Sequence, residues 1–246
     1  MDASLTGKPC GELYLVRHGQ TMFNEKRVIQ GWCDAPLTEL GRAQARRIGR
    51  YFEQAGIRFD AAYTSTLTRT QETISCITDM PYERIESLRE WGFGAFEGER
   101  VSLMPPFPWG DFYVPFGGEG QLQVRERVCR TLGDAMERAC ADAVPRTAAG
   151  IVPAHKDADA GASEASEAVT AACGPGFAAG PVRVLAVSHG SACREFLTHW
   201  VPDGGFDGGR VPGNCSVMRF AYTAGAFALR EVLEQEDLAR ILDEER

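Results

Sequence analysis

The stretch Leu13-Tyr14-Leu15-Val16-Arg17-His18-Gly19-Gln20-Thr21 decides how the rest of the chain is read. Four apolar residues in a row suit a short strand buried on both faces. The run stops at Arg17-His18-Gly19, two groups that act on anions followed by a residue that lets the backbone turn tightly. A second, largely apolar run from Val182 to Val187 stops in the same way at Ser188-His189-Gly190. The chain has only four histidines, and two of them stand where a buried strand gives way to glycine. In open parallel sheets the carboxyl ends of the strands border the ligand crevice. Two imidazoles and a guanidinium converging there point to chemistry on an anion.

Outward from these two runs, strands and helices alternate. Thr38 is placed to cap a helix with the stripe Leu40, Ala43, Ala45, Ile48, Tyr51 and Phe52, ending near Gly56. Phe59 to Tyr63 reads as a strand, and Ser65 or Thr66 as the cap of a helix through Arg69, Thr73 and Ile77. Tyr82 to Leu88 reads as a short strand, Leu122 to Ala143 as a long helix, and Cys193 to Trp200 as another. Val217–Tyr222 and Ala226–Val232 read as two strands joined at Thr223–Gly225. This order predicts an α/β fold of three layers, α/β/α, around a mostly parallel central sheet, with residues 1–246 forming one domain.

Two segments interrupt the pattern. Residues 99–120 hold Met104-Pro105-Pro106-Phe107-Pro108-Trp109 and then Phe112, Tyr113 and Phe116, an aromatic loop stiffened by proline. Its stretch 104–116 is open to two readings, a lid over a bulky leaving group or a loop packed on the sheet. Residues 144–181 are rich in Ala, Gly, Ser and Pro. They bury too little apolar area to offset their ordering entropy, so a mobile surface insertion is expected there.

Composition narrows the function. The formal net charge of −8 argues against non-specific nucleic-acid binding. Much of it lies from Glu231 to Arg246, read as an amphipathic helix with Leu238, Ile241 and Leu242 on one face. No apolar run has the length of a membrane span, and Met1 to Pro9 lacks the pattern of a secretory signal, so a cytoplasmic protein is expected. The cysteines at 10, 33, 76, 129, 140, 173, 193 and 215 lack the close spacing of a zinc or dithiol site. They are expected to be reduced and mostly buried. No metal-ligand cluster is evident, and oligomeric state is not legible.

Each candidate has a chemical rationale. Arg17 offers a planar fork for two phosphate oxygens. His18 is a nucleophile when one ring nitrogen is tied to a backbone carbonyl and the other is left free. Arg69 stands early in a helix, against the macrodipole, a cost that a nearby anion relieves. Glu90, in Leu88-Arg89-Glu90-Trp91-Gly92-Phe93-Gly94-Ala95-Phe96-Glu97-Gly98, is a carboxyl suited to donating a proton, and Glu97 competes with it for that role. His155 and His199 are read as non-catalytic.

Together these motifs resemble the histidine phosphatase superfamily, also called phosphoglycerate mutase-like. The match runs through Val-Arg-His-Gly-Gln-Thr to Asn24, Gln30-Gly31-Trp32, Pro36-Leu37-Thr38-Glu39-Leu40-Gly41, Tyr63-Thr64-Ser65 to Arg69 and Gln71-Glu72-Thr73, Leu88-Arg89-Glu90 to Phe96-Glu97-Gly98, and Val187-Ser188-His189-Gly190. The resemblance implies a phosphoglycerate mutase-like fold. It implies that His18 is phosphorylated, that Arg17, Arg69 and a protonated His189 surround the phosphate oxygens, and that Glu90 is the general acid. Asn24, Gln30, Gly31 and Gly190 then shape or contact the pocket.

The activity so implied is hydrolysis of a small phosphomonoester, without a metal or other cofactor. Two alternatives stay open, a cofactor-dependent phosphoglycerate mutase and a non-catalytic module that binds phosphorylated ligands. The family's mutases carry a longer basic insertion after the acid loop, whereas Val101 to Gly120 has no Lys or Arg.

Overall fold

The computed structural model of the chain describes residues 10–143, 180–201 and 211–244. The expected mobility of the insertion and the role of His155 lie outside the described residues, as does Met1 to Pro9. Six strands form one sheet: β1 (Gly11–Arg17), β2 (Ala61–Ser65), β3 (Glu83–Ile85), β4 (Val182–Ser188), β5 (Val217–Thr223) and β6 (Ala226–Leu233). Their spatial order is β3-β2-β4-β1-β5-β6. The first four strands in that order run parallel, while β5 is antiparallel to both β1 and β6. The helices are α1 (Met22–Lys26), α2 (Glu39–Gln54), α3 (Thr68–Ile77), α4 (Gln121–Ala143), α5 (Gly190–Trp200) and α6 (Gln235–Glu244).

Alternation along β1 divides the core into two layers, as a pleated strand must. Leu13 and Leu15 join Val124, Val128 and Leu132 of α4 and Phe196 of α5. Tyr14 and Val16 join Ala45, Ile48 and Phe52 of α2, Ile74 of α3 and Leu238 of α6. The sheet is thus covered on both faces, which is why its central strands read as continuous apolar runs. α2, which follows β1 beyond the short α1, and α5, which follows β4, lie on opposite faces. That divergence opens a crevice at the carboxyl ends of these neighbouring strands.

Several sequence expectations are adjusted. In α2, Leu40 and Ala43 face solvent, and the buried stripe is Gly41, Ala45, Ile48 and Phe52. The strand expected from Tyr82 to Leu88 is short, because a 3-10 turn takes over at Glu86. The helix expected from Cys193 starts a turn earlier, at Gly190. Of the described cysteines only Cys193 and Cys215 are buried; five are half-buried, and all seven are free thiols.

The aromatic loop packs inward at Trp109 and Tyr113, which belong to the cluster holding Leu13 and Leu15. Their rings meet Trp91 and Phe93 edge-on, with centroids 5.0–6.4 Å apart, a favoured aromatic geometry. Phe112, Val114 and Phe116 stay exposed. Among the described residues no helix is long and apolar enough to cross a membrane.

Candidate active site

The pairing of β1 with β4 sets Arg17 beside Ser188, so the next residues, His18 and His189, meet at the mouth of the crevice. His18 N–H donates to the Ser188 carbonyl at 3.0 Å. The two imidazole centroids lie 5.2 Å apart with their planes at 61°.

His18 is 3 % exposed. Its Nδ1 stands 2.8 Å from the Gly19 carbonyl. A carbonyl only accepts, so Nδ1 carries the proton and Nε2 keeps a lone pair. Burial, then the positive charges of Arg69 and Arg17, hold its pKa well below the ordinary 6.5, and the ring is neutral at pH 7. Gly19 is required by packing: a Cβ there would come within 2.6 Å of the Gly41 carbonyl oxygen at the start of α2.

His189 is fully buried and differently held. Arg69 Nε donates to its Nδ1 at 3.1 Å, so that nitrogen is an acceptor. Nε2 then carries the proton and donates to Ser65 Oγ at 2.8 Å. Burial is the main cause, with Arg69 and His18 adding to it, that places its pKa well below 6.5. The expected protonated imidazole is therefore corrected to a neutral one, since an imidazolium has no lone pair to offer Arg69.

Arg69, the second residue of α3, is fully buried. Besides His189, it donates through Nη1 to the Cys33 carbonyl and Asp34 Oδ1, and through Nη2 to the Gly31 carbonyl. Four of its five N–H groups are so engaged. Burial lowers its pKa, opposed by Asp34 and Glu90. Asp34 also accepts from Thr68 N at the start of α3, while the N-cap residue itself, Leu67, contributes no side-chain bond. The cap comes from a distant loop, in place of Ser65 or Thr66; Ser65 Oγ accepts from Leu67 N instead. Asp34 also relieves the unfavourable placement of an arginine at a helix N-terminus, a relief the sequence assigned to a bound anion.

Arg17 Nη1 donates to the Pro212 carbonyl, and its Nε is buried without a partner among the described residues. Burial lowers its pKa too, against the pull of Glu90. A Cβ on Gly190 would lie 3.2 Å from Arg17 Cζ and Nε and 2.6 Å from Val211, so glycine is what lets this guanidinium lie against α5. Asn24 Oδ1 accepts from Thr21 N and Asn214 Nδ2, and Asn214 donates also to the His18 carbonyl. Gln30 Oε1 accepts from Thr21 Oγ1, and its Nε2 is a second buried donor without a partner among the described residues.

The two competing acids have separate situations. Glu97 accepts from the backbone N–H groups of Gly31, Trp32, Cys33 and Phe93. Burial pushes its pKa up, but the nearby Cys33 side chain and the backbone N–H groups of Phe93, Trp32 and Cys33 hold it below the ordinary value. It clasps the 31–33 loop. Glu90 is buried beside the pocket and felt by both arginines. Its Oε1 accepts from Trp91 N and Ala192 N, and its Oε2 from Ser191 N alone, each at 2.9 Å. Two of these donors are at the N-terminus of α5 and fix the direction of the carboxyl group. Oε1 has both lone pairs taken, whereas Oε2 keeps one site for a proton.

The fold thus brings together Arg17, His18, Asn24, Gln30, Gly31, Arg69, Glu90, His189 and Gly190. Sequence reading missed Asp34, Ser65 as a partner of His189, and the segment 211–215. In that segment Asn214 and the Cys215 N–H, the latter in a left-handed turn at φ 55°, brace the carbonyls of Arg17 and His18. The Pro-Gly-Asn run before β5 was the available signal of a tight turn there. Among the described residues no group of three or more His, Cys, Asp or Glu is placed to hold a metal ion.

Paired strand ends of this kind define a class, and more than half of the chain, residues 13–148, matches the model of the histidine phosphatase superfamily, branch 1. The chain belongs to that superfamily. Among its relatives, it is similar to the 2,3-bisphosphoglycerate-dependent phosphoglycerate mutase of Nitrobacter winogradskyi, with 36% identity over 136 residues, 49% of this chain and 64% of that protein. The chain matches less than two thirds of the length of such curated relatives. Its fold is similar to that of phosphoglycerate mutase from Bacillus anthracis, with a TM-score of 0.68 and 21% identity, over 94% of this chain and 96% of that one. A phosphoserine phosphatase from Entamoeba histolytica gives a TM-score of 0.63 at 20% identity, over 93% and 99%. At these identities the likeness to solved structures is one of fold.

Proposed function

We propose that the chain hydrolyses small phosphomonoesters through a phosphohistidine on His18, with its own guanidinium groups supplying the positive charge. One observation carries this reading. A neutral histidine with a free Nε2 is buried under the charges of Arg17 and Arg69, and two buried N–H donors, Arg17 Nε and Gln30 Nε2, have no acceptor among the described residues. A phosphoryl group supplies both the electrophile and the acceptors.

In the first step Nε2 of His18 forms a bond to phosphorus as the ester P–O bond breaks, and the proton on Glu90 Oε2 passes to the leaving oxygen. In the second, water attacks phosphorus, Glu90 takes its proton, and the P–N bond breaks to release phosphate and neutral His18. Arg17 and the remaining N–H of Arg69 hold the transferred oxygens, and neutral His189 keeps the Arg69 fork in place. Catalysis is then positioning plus stabilisation of spread negative charge.

The test is a panel of phosphomonoesters, headed by an aryl phosphate at mildly acidic pH, assayed with and without chelator. Turnover insensitive to chelator and an acid-labile label on His18 are expected. A strict magnesium requirement, or turnover without labelling, would contradict the scheme.

A second reading, phosphoglycerate mutase, is favoured by the identity to the Nitrobacter protein. The absence of Lys and Arg from Val101 to Gly120 favours hydrolysis, because a mutase also grips a carboxylate and shields its phosphoenzyme from water. Transfer of the label to phosphoglycerate rather than to water would reverse the order of the two readings.

A further inference from the structure

An ion pair between half-buried Arg127 and buried Glu119 stands behind the segment that carries Glu90. Arg127, on α4, meets Glu119 through Nε–Oε1 and Nη2–Oε2, both at 2.7 Å. Its remaining N–H groups donate to three carbonyls of one short segment: Ser87 at 2.9 Å, Arg89 at 2.7 Å and Glu90 at 2.8 Å. All five guanidinium N–H groups are thereby used. Glu119 grips the same segment from the other side. Its Oε2 accepts from Gly92 N, its N–H donates to the Gly92 carbonyl, and its carbonyl accepts from Trp91 Nε1. Every peptide from Arg89 to Gly92 is thus tied to this pair directly or through a neighbour.

A buried ion pair is poor evidence of stabilisation, because apolar residues of similar volume often serve as well. What apolar residues cannot do is hold three carbonyls in fixed directions. The segment so held carries Glu90, whose carboxyl is fixed independently by the α5 N-terminus. The acid is therefore located from two helices at once, its peptide by α4 and its side chain by α5. Trp32 Nε1 adds a second bond to the Glu90 carbonyl, at 3.0 Å.

We propose that Arg127, acting with Glu119, is a positioning residue for proton transfer, setting the Glu90 carboxyl against the leaving oxygen. This rests on the phosphatase reading and adds a specificity consequence. The pair matters for substrates whose leaving oxygen must be protonated and matters little for those whose leaving group departs as an anion.

The experiment compares an alkyl phosphomonoester with 4-nitrophenyl phosphate. General acid catalysis is worth roughly 10²–10⁴-fold where it is needed. Arg127→Met is expected to lower kcat on the alkyl ester about a hundredfold, and on 4-nitrophenyl phosphate by less than about fivefold, with KM little changed. Arg127→Lys should restore little, since a point charge lacks the fork that reaches three carbonyls. Glu119→Gln, which keeps an oxygen for Gly92 N, should show the same split more mildly, and it carries the test if Arg127→Met does not fold. Equal losses on both substrates, no loss on either, or full rescue by lysine would overturn the proposal. A wild-type chain inert toward both esters would instead remove the phosphatase reading, and this proposal with it.

Discussion

At the end of β1, His18 gives one ring nitrogen to the carbonyl of its own neighbour and keeps the other free. At the end of β4, one strand away, His189 has both nitrogens engaged, one by Arg69 and one by Ser65. Both are buried, both are neutral and both are followed by glycine. What separates them is the partner that each neighbourhood supplies. The backbone carbonyl of the next residue leaves the ring available for reaction. A guanidinium and a hydroxyl from other elements turn the second ring into a bracket. The lesson is that a histidine at a strand end declares a site, while its hydrogen bonds declare its task.

His18→Ala should lower turnover on the order of 10⁴-fold or more, as loss of a nucleophile does, and abolish the acid-labile label; steady-state kinetics and acid-quench labelling measure both. His189→Asn should cost less, about a hundredfold in kcat, because it frees Arg69 without removing the attacking atom. Labelling on His18 should survive in that variant, and a loss equal to that of His18→Ala would mean that the two imidazoles share one task.

Protonation sharpens the same contrast. The free enzyme needs neutral His18, whose pKa lies well below 6.5, so the acid limb of kcat/KM should fall well below that value. A limb centred near 6.5 would mean that the imidazole is not desolvated. The smallest effect is on stability. Both histidines are neutral when folded and free to protonate near pH 6.5 when unfolded. The unfolded chain therefore binds more protons below that pH. Stability is full above about 6.5 and declines as pH falls toward the folded pKa values, by at most about 1.4 kcal/mol per pH unit for each histidine. Thermal unfolding between pH 7.5 and 5.5 should show a shallower decline in His18→Asn than in the wild type.

The sheet was legible because β1 and β4 are buried on both faces and read as apolar runs, and α4 because Val124, Val128, Leu132 and Met136 keep helical spacing over many turns. The first turn of α5 was not, since Gly190 looks like a turn residue and its backbone N–H groups find their acceptor in Glu90, distant in sequence. The five-residue α1 is too short to show periodicity. The meeting of His18 and His189 was readable from residue types at the ends of β1 and β4, but the hydrogen bonding of His189 was not. It depends on Ser65, 124 residues away, and on Asp34, whose carboxylate both caps α3 and pairs with Arg69. No local pattern encodes a cap supplied from another loop.

The order of the strands has a bearing on biosynthesis. β1 is hydrogen-bonded only to β4 and β5, and β4 also stands between β1 and β2. A ribosome that has translated through Ala143 has delivered Arg17, His18, Arg69 and Glu90, yet not the strand that unites them. Until Val182–Ser188 emerges, the first strand is an apolar ribbon with both edges bare, the kind of surface that nascent chains aggregate through. The matched stretch 13–148 therefore holds β1 without either of its sheet neighbours, and the strand that joins β1 to β2 is made late.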